Sequence, residues 1–263
     1  MPSDAPDIRR LAPGMRRMLL AASLLVFTIG IPLFLASDRT ARFFAWTVQP
    51  PLTAAFLGAA YWASGVLEFL GSREREWARA RVAVPAVLTF TAVTLIVTLL
   101  HINRFHLNFS FTDADARTTA WETLAVTWVW LVVYASVPVV MSALLIRQLR
   151  EPGIDAPREA RLPHIIRMGL IAQSAVLVVV GMGLLLAPAV SGPLWPWRLT
   201  PLTARAIGAW LLGIGIAAAH MASEDDWVRV RAGMISYNVF AGLELLALAR
   251  YGNTQSSGPS AWV

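Results

Sequence analysis

Pro51-Leu52-Thr53-Ala54-Ala55-Phe56-Leu57-Gly58-Ala59 returns 150 positions later as Pro201-Leu202-Thr203-Ala204-Arg205-Ala206-Ile207-Gly208-Ala209. The register holds without a gap through Gly65/Gly215, Glu74/Glu224, Trp77/Trp227, Arg79/Arg229 and Arg81/Arg231, with eleven identities over the 31 positions 51–81 and 201–231. Self-similarity at a fixed spacing marks a duplicated unit and constrains architecture before any local pattern does. The same offset pairs Arg17-Met18-x-Leu20-x-Ala22 with Arg167-Met168-x-Leu170-x-Ala172, and further on Phe90 with Phe240 and Leu95 with Leu245.

What is duplicated is a set of membrane crossings. Of the 263 residues, 57% are hydrophobic and 14% charged, and the mean hydropathy is +0.59. Uninterrupted apolar runs of about 20 residues match the roughly 30 Å thickness of a hydrocarbon layer. Seven spans follow, at 16–36, 51–71, 82–101, 124–146, 165–187, 202–222 and 232–250. The fold class expected is all-α integral membrane.

Fifteen arginines fall on one side of this arrangement: Arg9, Arg10, Arg16, Arg17, Arg73, Arg75, Arg79, Arg81, Arg147, Arg150, Arg158, Arg161, Arg167, Arg229 and Arg231. Six fall on the other, and Arg205 lies just inside the sixth span. Positive charge stays cytoplasmic, so the N-terminus is expected inside and the C-terminus outside a plasma membrane. All 22 basic residues are arginine, a bias that points to a GC-rich bacterial genome and so to a bacterial inner membrane as the membrane crossed. The net charge of +6 belongs to these loops rather than to a nucleic-acid interface. The absence of cysteine excludes disulfides and thiolate chemistry.

The spans pair as one with five, two with six and three with seven. Four crossings separate the copies, so they share one orientation, a parallel duplication about an axis along the membrane normal. The expected division is 1–150 with four spans and 151–263 with three and a polar tail. The fourth span has no partner, so an eighth is either lost or supplied by a second copy or another membrane subunit.

The repeated residues have structural readings. Ala54, Gly58 and Gly65, with Ala204, Gly208 and Gly215, form small-residue stripes that let helices approach closely. They predict contact between spans two and six, or equivalent contacts elsewhere. Pro51 and Pro201 suit a first helical turn, and Thr53 and Thr203 the local backbone. Trp77, Arg79 and Arg81, with Trp227, Arg229 and Arg231, are expected in short turns at the lipid headgroups.

Candidates for chemistry are charges inside apolar spans, which are costly and count as functional by default. Arg205 and Glu244 are spaced to meet as an ion pair between spans six and seven, with Tyr237 and Tyr251 on the Glu244 face. Glu68 is expected to reach the interface at the end of span two. Neither charged pair member is duplicated: Arg205 aligns with Ala55 and Glu244 with Thr94. His101 and His106 are poorly spaced for a metal or haem. Asp113 and Asp115, beside them in sequence, read first as a solvated loop. Among the aromatics, Trp128 and Trp130 fall deep in span four, with a core-packing role expected. No catalytic residue, metal or cofactor is assigned.

The run 46–59, with its counterpart 201–210, resembles an uncharacterised group of bacterial multi-span membrane proteins that carry a further C-terminal span. That likeness implies no activity. Seven spans are also shared with microbial rhodopsins, but a chain without lysine forms no retinal Schiff base. Glu68 and Glu244 loosely parallel the acids of seven-span intramembrane terpene cyclases, whose local motifs are missing. Three expectations remain: a small-solute or ion transport or permeation protein using Arg205 and Glu244, a membrane-embedded scaffold or subunit, and an intramembrane enzyme on lipid or isoprenoid substrates.

Overall fold

The computed structural model describes residues 7–107 and 121–252, and the statements below concern those residues. They contain α1 (Pro13–Leu35), α2 (Pro51–Arg73), α3 (Trp77–Ala80), α4 (Ala83–Leu100), α5 (Trp121–Leu149), α6 (His164–Leu186), α7 (Pro188–Ser191), α8 (Pro201–Glu224) and α9 (Trp227–Tyr251). All but α3 and α7 are long and apolar enough to cross a membrane. The chain is a seven-helix membrane protein. Each expected span coincides with one long helix, and most helices run a few residues further. Polar ends such as Arg73, Gln148 and Glu224 lie outside the apolar run but continue the backbone hydrogen-bond ladder.

Pro51 and Pro201 sit in the first turns of α2 and α8, where a missing N–H goes unmissed. The threonines that follow diverge. Thr203 closes a capping box with Thr200: its hydroxyl accepts from the Thr200 N–H at 2.8 Å, and its own N–H donates to the Thr200 hydroxyl at 3.2 Å. Thr53 instead accepts a 2.9 Å hydrogen bond from the Trp197 indole.

Burial sorts the helices into layers. In α2 and α8, 72% of the apolar window is buried, against 50% in α4 and 22% in each of α1, α5, α6 and α9. The two interior helices touch each other little; α1 lies along α2, α6 along α8, α9 against α2 and α4 against α8. The small-residue stripes therefore serve other contacts than a direct α2–α8 seam. A Cβ on Gly58 would lie 2.6 Å from the Phe34 backbone nitrogen, and one on Gly208 would lie 2.7 Å from the Gly181 carbonyl. Gly65 faces Phe27 and Gly215 faces Leu177 and Val178, while Ala54 and Ala204 are fully buried in the same stripes.

The cross-contacts also correspond. On α4 and α8, the Ala86 carbonyl and Phe90 close on Gly213. On α9 and α2, Ser236, which stands 150 positions after Ala86, donates a 2.6 Å hydrogen bond to the Ala63 carbonyl. Such contacts without lipid between them are how helices associate in a membrane.

Candidate functional site

On α2, Tyr61, Ser64 and Glu68 stand at i, i+3 and i+7, on one helical face. That face looks into a cavity of about 310 Å³ walled by α1, α2, α4 and α5. The walls are mostly aliphatic, with Phe90, Trp130 and the two tyrosines as aromatic members. Leu25 of α1 and Val129 of α5 both line the cavity and are 37% and 51% exposed. The cavity is thus a groove that opens sideways between α1 and α5, on the outward surface of the bundle.

Glu68 does not reach an interface, as the sequence suggested; it is 1% exposed. Its position is set by the packing of α2 inside the bundle, which closes around a residue whose stem alone could not carry it out. Ser64 donates a 2.8 Å hydrogen bond to Oε1, and Oε2 is buried without a partner. No cation lies within ion-pair distance among the described residues. Above it, the Tyr61 and Tyr134 hydroxyls share a 2.6 Å hydrogen bond, and the Trp130 indole donates to Thr98 at 3.0 Å.

A second void of about 50 Å³ shares Ser64, Val87 and Phe90 with the groove and extends toward α8 and α9. Tyr237 lines it and donates its hydroxyl proton to the Ile214 carbonyl at 2.9 Å. A third cavity, of about 430 Å³, lies at the opposite end beside Trp46, Thr47, His101, Arg104 and Thr200. Aromatic packing separates it from the groove. Phe90 and Trp210 stack with centroids 3.8 Å apart, Trp130 and Tyr134 at 4.2 Å, and Trp46 and Trp130 at 4.9 Å. The space left between these rings is about 10 Å³, at the lower limit for one water. Trp130 is buried in this cluster, whereas Trp128 is 49% exposed on the outer face of α5.

Arg205 and Glu244 are not brought together. Arg205 donates from Nη1 to His101 Nε2 at 2.7 Å and from Nε to the Leu185 carbonyl at 3.0 Å. Helix rotation turns it toward α4 and α6 rather than α9. Burial pushes the His101 pKa down, and the charges of Arg205 and Arg104 add to the effect. Because the arginine can only donate, His101 Nε2 is the acceptor and the ring proton lies on Nδ1. Glu244 is half-buried on α9 with Oε1 unpartnered. Tyr251 meets Ser37 through their hydroxyls. His106 is held by the Phe44 carbonyl at 3.0 Å and Thr47 at 3.3 Å. No cluster of three metal-ligating side chains occurs among the described residues; Asp113 and Asp115 lie outside them.

The repeated turns build a polar cluster. Glu224, 3% exposed at the end of α8, accepts from Arg81 Nη2 at 2.7 Å, Arg229 Nη1 at 2.9 Å and His220 at 3.1 Å. Arg81 also reaches Asp155, and Arg229 the Ala156 carbonyl. Arg79 bridges Glu76 at 2.9 Å and Glu159 at 2.8 Å. Trp77 and Arg229 are buried, Trp227 is 38% exposed and Arg231 is exposed. Asp226 caps α9 through the N–H groups of Val228 and Arg229 and also holds Glu159 and Ala160. Burial opposes ionisation of Asp226, but the four backbone donors outweigh it and hold the carboxyl below the usual range.

The residues that sequence reasoning missed are Ser64, Tyr61 and Tyr134 around Glu68, and Glu224 as a shared acid. Tyr61-x-x-Ser64-x-x-x-Glu68 was the available signal, three polar groups on one face of an apolar span. Comparison of the chain with protein-family models, curated proteins and solved structures gives no match.

Proposed function

We propose that the chain is a membrane transport or permeation protein that admits a lipophilic small molecule from the bilayer into the groove between α1 and α5. The observation that carries this reading is a buried acid, Glu68, with one unpartnered oxygen in an otherwise apolar cavity of about 310 Å³. Such a volume lies at the lower end of small-molecule pockets, and apolar walls with few polar groups are their usual composition. The apolar part of the ligand fills the aliphatic walls, and its polar group is placed by Ser64 and Glu68. Arg205 and Glu244, turned apart, do not define this site.

Binding of farnesol, an apolar chain ending in one hydroxyl, tests the reading. The protein in nanodiscs is expected to bind it and to unfold at a higher temperature with it than without. If neither effect occurs, the groove is not a ligand site. Recovery of unaltered farnesol separates permeation from an intramembrane enzyme.

A second reading, a membrane-embedded subunit, is favoured by one observation. Glu244 stands on α9, 22% of whose apolar window is buried, with an unpartnered oxygen, so a helix from a second copy or another subunit could supply a donor. Purification as a monomer that binds farnesol would count against it.

The reading includes the parallel arrangement of four spans in 1–150 and three in 151–263. The pairings of α1 with α2 and α6 with α8, and the crossed pairings of α4 with α8 and α9 with α2, support it. The arginine distribution supports a cytoplasmic N-terminus and an external C-terminus, and the all-arginine basic set supports a bacterial inner membrane.

A further inference from the structure

We infer that the groove selects an organic cation with an apolar body, binding it at Glu68 in exchange for one proton. The inference rests on the groove being a ligand site and goes on to name the ligand's charge. Its first support is the state of the Glu68 carboxyl group: 1% exposed, with one oxygen held only by Ser64 and the other by nothing. An unpaired carboxylate in an apolar interior is costly, so this group requires a counter-charge. A proton serves when the groove is empty. A ligand cation can serve when it is full.

The second support is independent of the first. Tyr61, Phe90, Trp130 and Tyr134 line the same groove, and aromatic side chains are the surfaces that hold organic cations once water is excluded. No arginine or histidine lines the groove to compete for the carboxylate. The other titratable groups around it are Tyr61 of α2, Tyr134 of α5 and Tyr237 of α9; α1 and α4 contribute none. A ligand cation therefore finds one acid and several rings.

The exchange balances simply. The protonated carboxyl group of Glu68 meets the cation, its O–H bond breaks, the proton passes to the buffer, and carboxylate and cation remain as a neutral pair. No bond is made in the ligand.

The test uses the full chain in nanodiscs and two ligands with one carbon chain, farnesyl-trimethylammonium and farnesol, with empty nanodiscs subtracted. The quaternary ion has no proton of its own to lose. Equilibrium dialysis in weak buffer with a pH indicator should show cation binding with about one proton released per cation. Over the pH range in which Glu68 is protonated in the empty groove, cation affinity should rise about tenfold per pH unit, as a one-for-one exchange requires. Glu68→Gln should weaken cation binding by about 100-fold, the scale of a desolvated charge pair, and weaken farnesol binding far less, because the Gln amide still offers the ligand hydroxyl a hydrogen bond. Cation binding without proton release, or equal cation binding to Glu68→Gln, overturns the inference. Binding of farnesol alone also overturns it and leaves the groove reading standing, whereas binding of neither removes both. Should Glu68→Gln fail to fold, the pH dependence of cation affinity in the unaltered protein decides.

Discussion

Arg81 and Glu224, 143 positions apart in sequence, form a two-point ion pair in which Nη2 meets Oε2 at 2.7 Å and Nε meets Oε1. The pair ties the turn between α3 and α4 to the end of α8. Because Glu224 is also shared by Arg229 and His220, its removal leaves several donors facing one another. Breaking a buried pair by deleting one partner costs about 3–5 kcal/mol. Glu224→Ala is expected to lower the unfolding temperature in detergent more than Arg81→Ala, since Arg81 is the more exposed partner. Combining Arg81→Ala with Glu224→Ala should cost less than the sum of the two. Equal, additive losses would show that the shared carboxylate is not the organising group.

The close approach of α1 to α2 and of α6 to α8 predicts a different pattern among glycines. Gly58→Ala and Gly208→Ala place a methyl group against backbone atoms at 2.6 Å and 2.7 Å, an overpacking worth about 1–3 kcal/mol. Gly169→Ala and Gly242→Ala meet nothing within 4 Å and should be neutral or stabilising. Thermal unfolding of the four variants checks this, and similar values for all four would contradict the packing.

Asp226 makes a pH-dependent contribution whose sign is fixed by its lowered pKa. A carboxyl group that is harder to protonate when folded contributes stability above its unfolded pKa of about 3.9. That contribution is lost as the pH falls through the folded value. Asp226→Ala should lower stability at neutral pH, by about 0.5–2 kcal/mol as a lost helix cap, and flatten its fall on acidification. An unchanged acid limb in the variant would exclude Asp226 as its source.

These features were unequally visible in the sequence. The seven helices were legible because apolar runs of spanning length, opened by Pro51 and Pro201, determine where a chain can cross. Which way each helix faces was not. Arg205 and Glu244 have a spacing that allows them to meet, but rotation of α8 sends Arg205 to His101 and the Leu185 carbonyl. The stripes of Gly58 and Gly208 announced close packing without naming the partner, which is α1 in one case and α6 in the other. Glu68 lies near a helix end, and spacing along α2 says nothing of the walls that α1, α4 and α5 raise around it. Glu74 and Glu224 look alike as repeats, yet only Glu224 is enclosed by arginines, because Arg81 and Arg229 both turn toward it.

The groove between α1 and α5 is tested most directly by filling it. Val133→Trp adds a ring inside the cavity that Val133 lines with Glu68, whereas Thr47→Trp adds the same ring to the separate cavity beside His101 and Arg104. Farnesol affinity, measured by equilibrium dialysis in nanodiscs, should fall about tenfold or more in Val133→Trp, the loss expected when apolar contact area is replaced by protein. It should be unchanged in Thr47→Trp. Affinity retained in Val133→Trp, or lost only in Thr47→Trp, would contradict the assignment of the groove as the ligand site.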